Sequence, residues 1–526
     1  MPIVHAPARA EYDWVIVGGG SAGCVLANRL SADPDTRVLM IEAGPSGEGV
    51  AEIDRADSWV SLLGSRYDWG YGYAPTARVD GRRIPIPRGR VLGGSSAINA
   101  MLWYRGHPRD YDRWEAEGAT GWNAASMNRL FRVVEDWEGG ADAWRGAGGP
   151  IRVERSRDPH PIAAALMAGA AEVGFDVIDD PNGATNEGVA WTNFSATTGA
   201  DGVMRRWSAV RGYLAPVLER PNLDVLVGSR ALGVRLEGPP GGERARSVRH
   251  VVDGRSVETA ASRGIVLTAG AIDTPRLLML SGIGDADALT AHGIRPLVDL
   301  PGVGANFQDH PLIEGVTARA RHALGPVRDT GGGSMLNWRS SVAGEVPDLH
   351  SFVVQGPHGT PEVRDEYDLS GDVFAVSPGL MGSRSIGSIT LRSGDPDAAP
   401  DIQPNFLAER ADLDALVESL DTIQDLFGSR AFADLVAAPL APAGRLDRRE
   451  AERFVRRSVS TFFHAVGTAR MGTDERSVVS PELAVHGVPG LWVADASVMP
   501  TIPTCNTLAP VYAIAERAAE LLAEVR

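Results

Sequence analysis

Tyr12-Asp13-Trp14-Val15-Ile16-Val17-Gly18-Gly19-Gly20-Ser21-Ala22-Gly23 is a run of β-branched and aromatic residues that breaks abruptly into glycine. Such a run predicts a buried parallel strand. Ala22 to Leu30 then carries Val25, Leu26, Ala27 and Leu30 at helical spacing, and Arg37-Val38-Leu39-Met40-Ile41 predicts a second strand that ends in Glu42. The unit is β-α-β, with Gly18, Gly20 and Gly23 in a G-x-G-x-x-G frame. In that context the first glycine permits a tight turn, the second lets backbone approach a pyrophosphate, and the third lets helix pack on strand. The helix N-terminus offers free amides to phosphate, and Glu42 is placed to accept hydrogen bonds from a ribose diol. This segment reads as a dinucleotide site in an α/β protein.

Outward from it, the composition excludes several chemistries. The chain has 526 residues and 51 basic side chains, every one an arginine. Without an ε-amine there is no Schiff-base lysine and no P-loop lysine, so pyridoxal-phosphate enzymes, Schiff-base aldolases, Walker-type NTPases and protein kinases are excluded. Nucleotide bias accounts for the missing lysine, since abundant Gly, Ala and Arg are what a GC-rich genome encodes. With 67 acidic residues the net charge is −16, which disfavours nucleic acid or an anionic membrane surface as the main partner. Cys24 and Cys505 are the only cysteines, so neither a disulfide framework nor a CxxC metal pair is expected, and a cytoplasmic location fits best. Met1 to Tyr12 lacks the basic and apolar regions of a signal peptide, and no apolar run reaches the roughly 18 residues of a membrane span.

The rest of the chain alternates. Residues 44–90 are irregular and rich in Gly, Pro, Trp and Tyr; a helix is expected from Ile162 to Val173; and strand signals return at Asn222 to Leu236 and Arg249 to Gly270. Ser388-Ile389-Thr390-Leu391 alternates like a strand, Asp412 to Phe427 reads as a long amphipathic helix, and a buried strand at Leu491 to Asp495 precedes a helix from Ala509 to Val525.

Three further segments make the pattern specific. They are Arg88-Gly-Arg-Val-Leu-Gly-Gly-Ser-Ser-Ala-Ile-Asn99; Gly270-Ala-Ile-Asp-Thr-Pro-Arg-Leu-Leu-Met-Leu-Ser-Gly-Ile-Gly284, followed by Pro301 to Pro311; and Phe463-His-Ala-Val-Gly-Thr-Ala-Arg-Met-Gly472 together with Asp495-Ala-Ser-Val-Met-Pro-Thr-Ile-Pro-Thr-Cys-Asn-Thr507. With the N-terminal βαβ these resemble, in order and over essentially the whole chain, the glucose–methanol–choline (GMC) oxidoreductases. The motifs are nearest the alcohol-oxidase and hydroxymethylfurfural-oxidase branch.

The resemblance implies an α/β (α+β overall) chain. A Rossmann-like FAD-binding domain would be built from 10–45, 85–150, 207–310 and 460–526, with an interleaved substrate-binding domain from 151–206 and 311–459 containing an antiparallel sheet. Residues 46–84 would form an irregular segment covering the cofactor. It further implies FAD lined by Gly18, Gly20, Ser21, Ala22, Gly23, Glu42, Gly94, Ser95, Asn99, Ala231, Asp495, Ala496, Asn506 and Thr507, and no metal. Members that attach FAD covalently use a histidine between Gly93 and Asn99. None stands there in this chain, so the flavin is expected to be non-covalent.

By the same resemblance His464 is the base that takes the hydroxyl proton while hydride leaves for flavin N5, a task that suits an imidazole. Asn506 matches the second active-site position, and His310, in Gln-Asp-His-Pro, is read as structural. With no lysine available, the helix starting near Thr507–Pro510 is expected to direct its N-terminal dipole at the pyrimidine edge of the reduced flavin. His464-Ala465 and Thr507-Leu508 depart from the family's usual His-Pro and Thr-Asn. Phe462, Phe463, Met101, Leu102 and Trp103 favour an apolar or aromatic primary alcohol, oxidised to the aldehyde with O2 as acceptor. A dehydrogenase using a quinone or other acceptor is the alternative, and a hydroxynitrile lyase a minor one. The physiological alcohol, further oxidation to the acid and the oligomeric state are open at this stage.

Overall fold

In the computed structural model, residues 3–239 and 241–525 are described; Met1, Pro2, Pro240 and Arg526, which fall at the ends and inside the segments read above, lie outside them. The strand Glu11–Val17 is buried from Tyr12 onward, as its unbroken apolar run requires. It pairs in parallel with Val38–Ile41 on one side and with the long strand Arg255–Leu267 on the other. Val38–Ile41 in turn pairs in parallel with Leu223–Leu226, and that strand with Ile3–Val4. At the far side, Leu491–Val493 joins Arg255–Leu267, again in parallel. An antiparallel meander, Ala231–Glu237 and Arg244–Val252, hangs from the other end of the same long strand.

The helix Ser21–Leu30 follows the first strand and packs against the final helix, Leu508–Ala523. An Arg29–Glu516 ion pair at 2.7 Å ties the two together, and Tyr213 donates its hydroxyl to the same carboxylate. The first and last helices therefore close on one another beside a single mixed sheet.

A second sheet is antiparallel throughout. Its path runs Val436–Ala441, Thr317–Ala320, Val373–Leu380, Leu349–Val354, Ser334–Trp338 and Gly188–Trp191. Pro311–Ile313 pairs with both Val373–Leu380 and Val459–Thr461. The helices Pro161–Glu172 and Arg410–Gly428 pack on this sheet, the latter through an apolar stripe that includes Leu413, Leu416, Leu420, Ile423 and Phe427. What matters for the site is that Val459–Thr461 delivers the chain from the second sheet to residues 462–464.

Candidate active site

The first motif forms the expected turn. Gly23 has no room for a side chain, since a Cβ would lie 1.9 Å from the Gly18 carbonyl oxygen. At Gly20 the opposite holds: a Cβ would meet nothing nearer than Gly94 Cα at 3.9 Å and the Thr268 carbonyl at 4.0 Å. That open face lies at the start of Ser21–Leu30, a helix whose N-terminus no side chain caps and whose first turn carries no acidic residue. Ser21 and Ala22 thus present amides without a partner side chain, the arrangement a pyrophosphate fits.

The second motif sits directly upon the first. The Gly93 amide donates to the Gly19 carbonyl at 2.7 Å, and Gly94 is so close to Gly20 that a Cβ would lie 2.8 Å from Gly20 Cα. Ser95 and Asn99 follow in the same turn. Asn99 Oδ1 accepts from the Met101 amide and from Arg206 Nη1, which leaves its Nδ2 without a partner among the described residues. Glu42 is buried, accepts from the amides of Gly19 (2.9 Å) and Gly44 (2.7 Å), and is pushed up to about 7 by burial. Ser229, two residues before Ala231, donates its amide to the Glu42 carbonyl, which brings Ala231 to the same end of the cradle. Asp495 spends both carboxylate oxygens internally, on the Gly270 amide, Thr274 Oγ1 and the amide and hydroxyl of Ser497. Its backbone and that of Ala496 are then what it can offer a cofactor. These residues fit FAD, whose isoalloxazine accepts hydride at N5 when bound.

His464 and Asn506 meet although 42 positions separate them: Asn506 Nδ2 lies 3.1 Å from His464 Nε2. An amide nitrogen only donates, so Nε2 holds the lone pair and the ring proton is on Nδ1. That proton points at His310, whose Nδ1 is 2.9 Å away. His310, read as structural, thus sits ring to ring with His464, and accepting that proton would favour the tautomer in which Nε2 is the acceptor. Nothing local in Gln-Asp-His-Pro announces this contact, which spans 154 positions.

Asp309 holds both histidines in place. Its Oδ1 accepts the amides of His310 and His464, each at 2.8 Å, and its Oδ2 accepts the hydroxyls of Tyr73 and Thr461. Phe463 sits between, in the left-handed region at φ 67°, a strained conformation for a non-glycine residue and one that turns its neighbour into the site. Phe462 stacks on the His464 ring at 5.5 Å with planes 8° apart, and is flanked by Phe352 and His350. Burial, then the neighbouring His310, Arg88 and His350, hold the His464 imidazolium well below the usual histidine range. His464 is thus neutral, as an acceptor of a hydroxyl proton must be. Thr507 precedes the final helix as its uncapped N-cap, which places that helix's start next to Asn506 and His464. Among the described residues no group of three or more His, Cys, Asp or Glu could hold a metal.

A buried neutral histidine, a donor amide and a dinucleotide cradle agree with what similarity to known proteins gives. Family models described as GMC oxidoreductase match residues 12–312 and 383–515. The chain is a GMC oxidoreductase. Among relatives, mitochondrial choline dehydrogenase of Homo sapiens is 36% identical, over 98% of this chain and 90% of that protein. Among solved structures, pyridoxine 4-oxidase from Mesorbium loti superposes with a TM-score of 0.90 at 33% identity, covering 97% of this chain and 98% of that one. Formate oxidase superposes at 0.87 with 28% identity, over 98% and 99%. As a member of this family the chain binds FAD and oxidises alcohols, with no histidine in the Gly93–Asn99 turn to attach the flavin. No described helix is long and apolar enough to cross a membrane.

Proposed function

We propose that this GMC oxidoreductase oxidises an uncharged primary alcohol on an aromatic or otherwise apolar frame, and that O2 takes the electrons to give the aldehyde and H2O2. The observation that carries the reading is the surround of His464: Phe462 stacked on its ring, Phe352 and His350 behind, and Tyr104 edge-on to His350. The neighbouring carboxylate, Asp309, has both oxygens engaged by four donors. The substrate hydroxyl would donate to His464 Nε2 and accept from Asn506 Nδ2, so that the proton leaves to the imidazole as hydride leaves the carbon. The names of the pyridoxine and formate oxidases among its structural relatives support O2 as acceptor.

A second reading has its own support. The choline dehydrogenase relatives suggest a quaternary ammonium alcohol, and an aromatic cluster can hold such a cation through its ring faces. Against it stand the lack of a free carboxylate beside His464 among the described residues and the nearby guanidinium of Arg88. Anaerobic bleaching of the flavin by benzyl alcohol and a pyridine methanol, set beside choline, separates the two. Faster bleaching by choline would reverse the assignment. Admitting air to the reduced enzyme then tests the acceptor: reoxidation slower than turnover with a quinone would make it a dehydrogenase.

A further inference from the structure

Arg88 carries a guanidinium with no direct side-chain partner among the described residues. It opens the Arg88–Asn99 motif, and its neighbour Gly89 is packed on the flavin cradle: the Gly89 amide donates to Ser95 Oγ at 3.2 Å, and a Cβ there would lie 2.2 Å from the Gly94 carbonyl. The backbone on either side is fixed, the Arg88 amide donating to Asp68 Oδ1 and its carbonyl accepting from Trp69. The charges of Asp309, Tyr73 and Asp68 all act on its guanidinium, and its own charge acts on His464. Among the described residues, however, its guanidinium makes no side-chain hydrogen bond and no ion pair within 4 Å, and its Nε is buried without a partner. Asp309 cannot serve as a direct partner, because both its oxygens are already taken.

An arginine stays protonated even where burial disfavours the charge, and the carboxylates that act on this one, Asp309 and Asp68, do so without an ion pair within 4 Å. Accepting hydride, two electrons with one proton, leaves the flavin with one added negative charge unless a further proton arrives. The N-terminus of Leu508–Ala523 offers only about half a unit of positive charge, and His464 is neutral until it has taken the substrate proton. With no lysine in the chain, arginine is the remaining cation.

We propose that Arg88 is the group that balances the negative charge of the reduced flavin, and that it sets the potential at which the flavin accepts hydride. The proposal rests on FAD binding and not on which alcohol is oxidised, so it can be tested without a substrate. Sulfite, which adds to flavin N5 and leaves the same negative charge on the ring, is the probe. In the purified holoenzyme, Arg88→Gln should weaken sulfite binding about tenfold or more, with flavin content and the oxidised spectrum retained. The two-electron potential should fall in step, by about 30 mV for each tenfold. Arg88→Lys, which returns the charge on a flexible stem, should recover most of both.

Sulfite affinity within twofold of the parent and a potential unchanged to within about 10 mV in Arg88→Gln would overturn the proposal, and a raised KM for alcohol would then assign the guanidinium to the substrate. Should Arg88→Gln purify without flavin, Arg88→Lys decides. Sulfite affinity close to the parent supports a role for the charge, and a tenfold loss with flavin still bound removes it.

Discussion

At the scale of single residues, the chemistry rests on keeping imidazoles neutral in a dry interior. Because His464 is held well below the ordinary histidine range, its basic form persists as pH falls through neutrality. The rate of flavin reduction should therefore stay level down to the acid range and drop only well below pH 6.5. His464→Ala should cost orders of magnitude in that rate with the flavin spectrum intact. His310→Ala should move the acid limb to higher pH, since it removes a neighbour that depresses His464 and admits water; an unmoved limb would return His310 to a packing role. Stability carries the same signature. His310 and His350 are both pulled down to about 3, first by burial, against about 6.5 when unfolded, so the contribution is complete above 6.5 and is lost as pH falls toward 3. Each histidine contributes about 1.4 kcal/mol per pH unit across that window. Thermal midpoints measured from pH 6.5 to 4.5 should fall less steeply in His350→Gln. Glu42→Ala should weaken FAD binding ten- to a hundredfold, the worth of hydrogen bonds to a charged group at about 1.5–3 kcal/mol, as read by flavin titration of the apoprotein. His464, Asn506 and Glu42 could be picked out because motifs carry them. The pairing of His310 with His464 could not, because it is a contact between segments 154 positions apart.

At the scale of elements, the long periodic segments were legible and the short ones were not. The helix expected at 412–427 spans Arg410–Gly428, and that at 509–525 spans Leu508–Ala523. By contrast Ala51–Asp54 and Trp59–Leu62 are helices of four residues inside the stretch read as irregular. One turn is too short to show a period and draws its stability from what covers it. The strand Val373–Leu380 shows how an element aims a side chain. Gly379 lies under Phe462, where a Cβ would meet Cε2 at 2.1 Å. Gly379→Ala should push Phe462 off the His464 ring, slow flavin reduction, and lower stability by about 1–3 kcal/mol with flavin still bound. An unchanged reduction rate would show that the stacking is incidental to catalysis.

At the scale of the whole molecule, neither strand order nor the buried charge network was legible, because pairing partners are far apart in the chain. Arg145 is fully buried and joins Glu135, Asp180 and Asn193, while Arg105 and Trp103 bind the same Glu135. Arg145→Met should destabilise by about 3–5 kcal/mol because it leaves Glu135 with Arg105 alone and Asp180 with no arginine partner among the described residues. A lowered thermal midpoint partly restored by Glu135→Gln would confirm that cause. The closing strand Leu491–Val493, paired with Arg255–Leu267, has a consequence in time. The nucleotide-binding sheet begins with the first strand synthesised and is completed by one of the last, and Asn506 follows later still. At roughly 5–20 residues per second a ribosome needs about half a minute to two minutes to make these 526 residues. The edge of Arg255–Leu267 that Leu491–Val493 covers stays open until that late strand is made, so the sheet under the cofactor cradle, and with it firm flavin binding, should await residues far along the chain.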